Sequence, residues 1–259
     1  VIVSQNQRYR DRRDSYRPAR ETINPRDYEV AAIPDDTTAK GFVVAHHYSR
    51  CFPAARFRVG LYRRSELVGV AVFSMPCSAQ VLDALPCRDQ GGVELGRFVL
   101  LDDVPGNGET WFLARAFALL RREGYAGVLS FSDPHPRATA AGHVVFPGHI
   151  GTIYQAGNAV YLGRGSARTL RVLPDGTVFS ARAISKVRAK ERGWRYAAGI
   201  LERAGAAPPG SDLRAWLREW LPRLTRTVRH PGMHLYAWGL ERAVSRLLPP
   251  SQPYPKKAA

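Results

Sequence analysis

The stretch DDVPGNGETWFLARAFALLRREG, residues 102–124, sets glycines between a strand-like run, VELGRFVLL, and an amphipathic helix. Successive backbone N–H groups at a helix N-terminus can grip an anion with help from the helix dipole, so Gly106, Asn107 and Gly108 are candidates to hold a phosphate-bearing donor. A simple turn into a helix accounts for the same three residues. Asp102, Asp103 and Glu109 flank them, and carboxylates aimed at a bound phosphate would repel it strongly, so a donor held here requires them to face away. A second stretch, HIGTIYQA, places His149, Gly151, Tyr154 and Gln155 at offsets that no simple secondary structure explains. A third, AHHYSR, puts His47 and Tyr48 at the end of a helix.

The elements that must position these residues follow from pattern. Asp35, Asp36, Thr37 and Thr38 supply helix caps before AKGFVVAHHYSR, which predicts a helix ending near Tyr48. FRVGLYRR and ELVGVAVFSM flank a short polar turn and predict a β-hairpin; VELGRFVLL is a third strand. Trp111, Phe112, Ala116, Phe117, Leu119 and Leu120 recur at helical spacing up to a stop at Gly124, and GVLSFSD is a further buried strand. Helix, hairpin, strand, glycine loop, helix and strand describe a mixed α/β domain whose loops gather at one sheet edge. Residues 134–148, rich in Pro, Gly, Ala and His, read as an active-site insertion. Beyond them, Asp175-Gly176 marks a hairpin, and residues 184–205 and 211–229 read as two arginine-studded helices. The expected division is a flexible basic arm over 1–30, a catalytic core over 31–184, a basic helical extension packing on the core over 185–248, and a disordered tail over 249–259.

The chain carries 38 Lys and Arg against 22 Asp and Glu, a formal charge of +16, almost wholly from arginine. That imbalance points to a polyanion, and arginine's planar fork suits phosphate oxygens, so nucleic acid is the expected partner. Residues 164–230 hold fifteen Lys or Arg against five acids. Arg164, Arg168, Lys186, Arg188, Lys190, Arg192 and Arg195 are therefore candidate phosphate contacts. Trp194, Trp216, Trp220 and Tyr236 lie among these arginines, where they could stack on displaced bases, although WLREWL has the spacing of a helix face packed on a core. Cys51, Cys77 and Cys87 are odd in number and lack CxxC spacing, which suggests neither a disulfide framework nor a zinc knuckle and fits a reducing cytoplasm. No apolar run reaches the roughly 18–20 residues of a membrane span, and the first twenty residues lack a signal-peptide core.

The pattern of strand, glycine loop and helix N-terminus resembles the acyl-CoA pyrophosphate loop of the GNAT acyltransferases, and its place after a helix, hairpin and strand is where that superfamily carries it. GNAT loops usually begin with Gln or Arg; Asp103 stands at that position here. The motifs AHHYSR, ELGRFVLL, SFSDP and GHIGTIYQAGNAVYLGR further resemble those of the phage Mom family, DNA-modification proteins of GNAT-like fold, over roughly Phe42 to Gly165. The resemblance implies an α/β fold with a GNAT-like mixed central sheet and flanking helices, here joined by the basic N-terminal arm and the arginine-rich C-terminal extension. It implies conversion of adenine in double-stranded DNA to N6-carbamoylmethyladenine, which protects a phage genome from restriction, in the cytoplasm of a bacterial host. It carries the family's functional positions onto His47, Tyr48, Asp133 and Tyr154.

The chemistry implied is coherent. The exocyclic amine of adenine is a weak nucleophile and needs a base or Lewis acid, a role open to His47 or Asp133. Tyr48 and Tyr154 could orient the base or donate to a developing oxyanion. An iron ion, implied by the family, would find a two-histidine, one-carboxylate set in His47, Asp133 and His149, while His135 and His143 in the insertion are rival ligands. Adenine would have to be flipped out of the duplex. The donor is open: an acyl-CoA, or a glycyl ester such as glycyl-tRNA, which would make tRNA a second partner. Two other functions remain compatible with the sequence, a GNAT enzyme acylating a protein or small-molecule amine, and a DNA-binding protein without catalysis.

Overall fold

The computed structural model describes residues 4–256 except 11, 12, 19, 77 and 88–90. The chain opens with β1 (Ser4–Arg10), β2 (Arg13–Pro18) and β3 (Tyr28–Ala32), then α1 (Asp36–His46), β4 (Ala55–Arg63), β5 (Glu66–Ser74) and β6 (Gly92–Leu100). α2 (Gly108–Arg122) and β7 (Gly127–Ser132) follow, with short strands β8 (Arg137–Ala138) and β9 (Val144–Phe146), α3 (Thr152–Ala156) and β10 (Val160–Arg164). The remainder is β11 (Arg168–Val172), β12 (Val178–Phe179), α4 (Ala181–Ala189), α5 (Trp194–Arg203), α6 (Leu213–Leu224), β13 (Arg226–His230), β14 (His234–Gly239) and α7 (Arg242–Leu247).

These elements form two compact units, neither of them continuous in sequence: residues 1–133, 149–164 and 233–259 make the first, 134–148 and 165–232 the second. The first is built on a seven-stranded sheet in the order β10-β14-β7-β6-β5-β4-β3, antiparallel except where β6 meets β7. This is the mixed α/β class expected, in the expected GNAT-like order of helix, hairpin, strand, glycine loop, helix and strand. Asp35 caps α1 by accepting from the Thr38 N–H, as its position before an apolar run predicts. Arg64 and Ser65, both at positive φ, turn β4 into β5. The core on one face of the sheet gathers Phe73, Val93, Leu95, Val128, Phe112, Leu113 and Leu120; a smaller group on the other packs Val43 of α1 against Val70, Val72 and Val99.

The second unit has a three-stranded sheet, β12-β11-β13, and the short β8–β9 pair. Its core packs α4, α5 and α6 through Val187, Ala198, Leu201, Trp216 and Leu217, with Leu173 and Phe179.

The expected division needs correcting in four places. The described part of residues 1–30 is not a loose arm: β1 pairs with β2, and the buried Arg8 joins the buried Glu109 at 2.5 Å. Residues 184–205 form two helices, because Lys190 and Gly193 both adopt positive φ between α4 and α5. The stretch 185–248 is not one helical extension. Residues 226–230 are a strand, and β14 lies in the central sheet between β10 and β7, with α7 following it in the first unit. The tail 249–256 is tied down, since Ser251 Oγ accepts from Tyr161 N at 3.0 Å and Tyr254 Oη donates to Ala159 O at 2.6 Å; residues 257–259 lie outside the described residues.

A candidate active site where two parallel strands part

β6 and β7 are paired only through Gly92, Val93 and Glu94 with Gly127, Val128 and Leu129. Beyond that point β6 bonds only to β5 and β7 only to β14, so the sheet forks. Ser130 Oγ donates to Leu95 O across the apex, at 3.0 Å. In β6 a bulge at Gly96 shifts the register: Leu95 faces Phe73 and Arg97 faces Val72. A Cβ at position 96 would sit 2.4 Å from the buried Ser74 Oγ, so a side chain there would force Ser74 to shift. The bulge puts Glu94 and Arg97 on one face, the face covered by α1, whose C-cap is His47.

His47 is buried, and burial, with positive charge from Arg97 and proximity to His149, pushes its pKa down to about 3. The Ser49 N–H donates to His47 Nδ1 at 3.1 Å, and Ser49 Oγ lies 2.8 Å from the same nitrogen. Nδ1 therefore carries the lone pair, and Nε2–H is the donor the ring presents. Tyr48 lies against His47 with ring centroids 4.2 Å apart, and 6.4 Å from His149. Arg97 is held by Cys51, through Nε to the carbonyl at 2.8 Å and Nη2 to Sγ at 2.8 Å.

The HIGTIYQA segment closes the fork from the other side. The His149 N–H donates to Asp133 O at 2.7 Å, so the chain leaves the first unit after Asp133 and returns beside it. The insertion therefore does not separate SDP from HIGTIYQA in space. Gly151 has φ +75°, and a Cβ there would meet Tyr236 at 2.7 Å and Tyr154 at 2.8 Å. Tyr154, 6.4 Å from His149 by ring centroids, bonds Ser130 through its hydroxyl, and burial pushes its pKa up against that bond. Ser130 already donates to Leu95 O, so Tyr154 donates to Ser130. Gln155 is a brace: its Nε2 donates to Ile150 O at 3.0 Å and to Tyr236 Oη at 3.1 Å.

His47, Tyr48, His149 and Tyr154 are thus brought together with the Asp133 backbone. Among the described residues no three His, Cys, Asp or Glu side chains gather so as to hold a metal ion. His47 Nδ1 is spent on Ser49, so His47, Asp133 and His149 do not fit the expected iron set. The rival ligands lie in the second unit, where His135 packs on His230 at 5.6 Å and His143 is exposed. Sequence reasoning gave no role to Glu94, Arg97 or Ser130, although each stands inside a stretch it had singled out, VELGRFVLL or SFSDP.

The glycine loop differs in kind. Gly106 N–H donates to Glu21 Oε2 at 3.2 Å, and Asn107 Oδ1 accepts from Ile23 N at 2.6 Å. Arg8 Nη1 donates to the carbonyls of Leu101, Asp102 and Val104 at 3.1, 3.3 and 2.8 Å, and Nη2 to that of Pro105 at 3.2 Å. Arg13 pairs with Asp102 at 3.0 Å, Arg63 with Asp103, and Arg17 with Glu21. The flanking carboxylates are neutralised by the chain's own arginines.

Of the candidate phosphate contacts, Arg164, Arg168, Arg188, Lys190, Arg192 and Arg195 are exposed and Lys186 is half-buried. Arg171, Arg188, Arg214 and Arg218 line a depression of about 640 Å³ in the second unit. The aromatic candidates fall to the core: Trp216 and Tyr236 are buried, and Trp194 and Trp220 pack on the helical core. Tyr196, 75% exposed, was not among them.

A GNAT-like sheet forked over a cluster of two histidines, two tyrosines, an arginine and a carboxylate defines the class of protein. The chain belongs to the Mom protein family, whose profile matches residues 27–256. Comparison with curated proteins gave no significant match. Among solved structures it is similar to a GNAT family N-acetyltransferase (YhbS) from Escherichia coli in complex with CoA, at 15% identity and TM-score 0.31, over 42% of this chain and 64% of that one, just under two thirds of its length. It is also similar to a tandem GNAT protein from the clavulanic acid biosynthesis pathway (8%, TM-score 0.42, 83% and 99%). A third likeness is to a putative acetyltransferase from Pyrococcus horikoshii (11%, TM-score 0.37, 84% and 91%). At these scores the neighbours carry no argument about chemistry.

Proposed function

We propose that the protein modifies DNA, converting adenine to N6-carbamoylmethyladenine by an acyl-type transfer. The observation that carries this reading is the match to the Mom family across 27–256, with its HHYS, SDP and IYQA residues meeting at the fork. The carbamoylmethyl group has the heavy atoms of a glycyl unit. In the proposed route, N6 attacks the carbonyl of a glycyl ester, forming an amide and releasing the alcohol. The glycyl amine then attacks ring carbon C6, and the bond from C6 to the original N6 breaks. That nitrogen leaves as the terminal carboxamide, so every atom of both reactants is accounted for.

At the fork, the neutral His47 Nε2–H and the Arg97 guanidinium are donors suited to the oxyanion that forms on the glycyl carbonyl. In this reading Tyr48 stacks on the flipped base, and Tyr154, tied to Ser130, forms one wall. The exposed basic residues of 164–195 and the arginine-lined depression supply phosphate contacts for DNA. The Gly106 N–H would grip a donor phosphate only after Glu21 moved away. That favours a glycyl ester such as glycyl-tRNA, whose phosphates need not enter this loop, over an acyl-CoA.

Nucleosides from DNA of cells expressing the protein, read by mass spectrometry, test the reading: a fraction of adenine heavier by one carbamoylmethyl group is expected. An unmodified adenine pool beside abundant folded protein overturns it. Label passing from isotopic glycyl-tRNA into adenine with purified protein would identify the donor; label passing from glycyl-CoA or acetyl-CoA would replace it.

A further inference from the structure

Taking adenine out of a duplex opens a gap in the base stack, and a protein that holds the base out gains by filling that gap with a group of its own. An element able to do so must stand in solvent on a firm base, present apolar atoms, repel no phosphate, and lie within reach of the pocket that takes the base.

The insertion over 134–148 meets each condition. β8 and β9 pair through Arg137 with Phe146 and Ala138 with Val144. The base of this hairpin is held: Val145 and Phe146 are buried, the Ala140 N–H donates to Pro174 O at 2.6 Å, and Arg226 Nη2 donates to Ala138 O at 3.2 Å. A Cβ on Gly176 would lie 2.5 Å from Val145 Cγ2, so the hairpin packs tightly against the turn between β11 and β12. Thr139 closes the tip. Its N–H donates to His143 O at 2.9 Å, its Oγ1 accepts from the His143 N–H at 3.1 Å, and its carbonyl accepts from the N–H of Gly142, which turns at φ +85°, at 3.0 Å. The tip thus has a fixed shape, yet residues 140–144 all stand exposed, with Val144 at 54%.

Its composition sets it apart. Two other hairpin turns of the chain are polar, Arg64-Ser65 and Asp175-Gly176, whereas this tip reads Ala-Ala-Gly-His-Val. The His143 ring and the stiff, β-branched Val144 supply its bulk. No Asp or Glu occurs over 134–148, and two guanidiniums stand at the base of the hairpin, Arg226 on Ala138 and Arg137 over the Phe146 ring at 4.3 Å. A phosphate backbone meets attraction there and no carboxylate. Both ends of the insertion are fork residues, since the His149 N–H donates to Asp133 O. Val144 precedes His149 by five residues, no more than about 18 Å of extended chain, or on the order of five base steps of about 3.4 Å. Tip and fork can therefore engage one short stretch of the same duplex.

We propose that His143 and Val144 form a wedge that enters the base stack where the target adenine leaves it. Their atoms take the space of the displaced base and slow its return, while the phosphates on either side rest against Arg137 and Arg226.

This proposal rests on the adenine-modification reading above, and its test separates the two. Full-length wild type and the double variant His143→Ser with Val144→Ser, which keeps Thr139 and Gly142, are given glycyl-tRNA and either a normal duplex or the same duplex with an abasic site opposite each adenine that the wild type modifies. The double variant should lose about 10-fold or more in rate on the normal duplex and come within about threefold of wild type on the abasic one, where the adenine has no partner to leave. With 2-aminopurine in place of adenine and no donor present, the rise in fluorescence at saturating protein should appear with wild type and be largely lost in the variant. A variant as fast as wild type on the normal duplex, or slowed equally on both, overturns the wedge. A folded wild type that modifies no adenine overturns the glycyl-transfer reading, and the 2-aminopurine signal then decides the wedge by itself.

Discussion

The glycine loop and the fork are both polar and both close to the sheet, yet they are organised in opposite ways. In the loop, every carboxylate the sequence set beside the glycines faces an arginine, Arg8, Arg13 or Arg63, and the Gly106 N–H faces Glu21. At the fork, Glu94 has no such partner and His47 is kept neutral. A region whose charges satisfy one another is built for stability; one that leaves a carboxylate unpaired beside donors is built to engage something else. Measurements can break the comparison at either end.

The largest effect is expected at Arg8. It and Glu109 are both nine-tenths buried, burial raises the Glu109 carboxyl while Arg8 opposes that, and Glu109 Oε2 has no further donor. Arg8→Met should therefore destabilise by about 3–5 kcal/mol, since it leaves a buried carboxylate alone, and Arg8→Met with Glu109→Leu should recover most of that. Urea unfolding of the three proteins decides it. A single variant as stable as wild type would mean that the hairpin does not hold the loop shut, and would return Gly106–Gly108 to the donor.

Next is Gly151, which lets HIGTIYQA turn at φ +75° beneath Tyr236. Gly151→Ala adds a methyl where no space exists and strains the backbone, at about 2–3 kcal/mol. It should also move Tyr154 off Ser130 and lower the modification rate. Lost stability with an unchanged rate would show that the Tyr154 contact is packing only.

His47 gives the fork a pH signature. Its folded pKa, about 3, lies below the value near 6.5 of an exposed histidine, so the unfolded chain binds the extra proton in that interval. Its contribution is present in full above pH 6.5 and falls by about 1.4 kcal/mol per unit toward pH 3, or about 2 kcal/mol by pH 5. Chemical denaturation of wild type and His47→Gln between pH 5 and 8 isolates the term, because the variant lacks that slope. Equal slopes would place a charged or exposed imidazole at the fork.

What could be read from sequence follows from the range of the interactions. Helix caps, the Arg64-Ser65 turn, the strand–loop–helix unit around Gly106 and the Asp175-Gly176 hairpin depend on neighbours a few residues apart, and all formed where expected. β14 was missed because its partners, β7 and β10, lie about 75–110 residues upstream, and residues 226–239 follow a helix whose arginines suggested more of the same. The hairpin over 4–18 was missed because the residues that anchor it, Arg8 and Arg13, meet Glu109 and Asp102 at separations of 101 and 89 residues. At the fork, His47, Tyr48 and Tyr154 were reached through the resemblance to the Mom family. Glu94 and Arg97 needed the register, since a one-residue bulge decides that they share a face.

The smallest effect sharpens the boundary between the two regions. Arg63 and Asp103 form an ion pair at the edge of the glycine loop, with 29% and 50% of their side chains exposed. Solvent and salt screen such a pair, and a long side chain must be ordered to make it, so a double-mutant cycle of Arg63→Ala and Asp103→Ala should give a coupling of about 0.2–1 kcal/mol, shrinking as salt is raised. Arg8 and Glu109, a few residues further along the same loop, should couple several-fold more strongly with little response to salt. If the Arg63–Asp103 coupling instead exceeded about 2 kcal/mol, the closed part of the loop would reach to Asp103. The aspartate standing where GNAT loops carry Gln or Arg would then act as a latch that holds the loop shut.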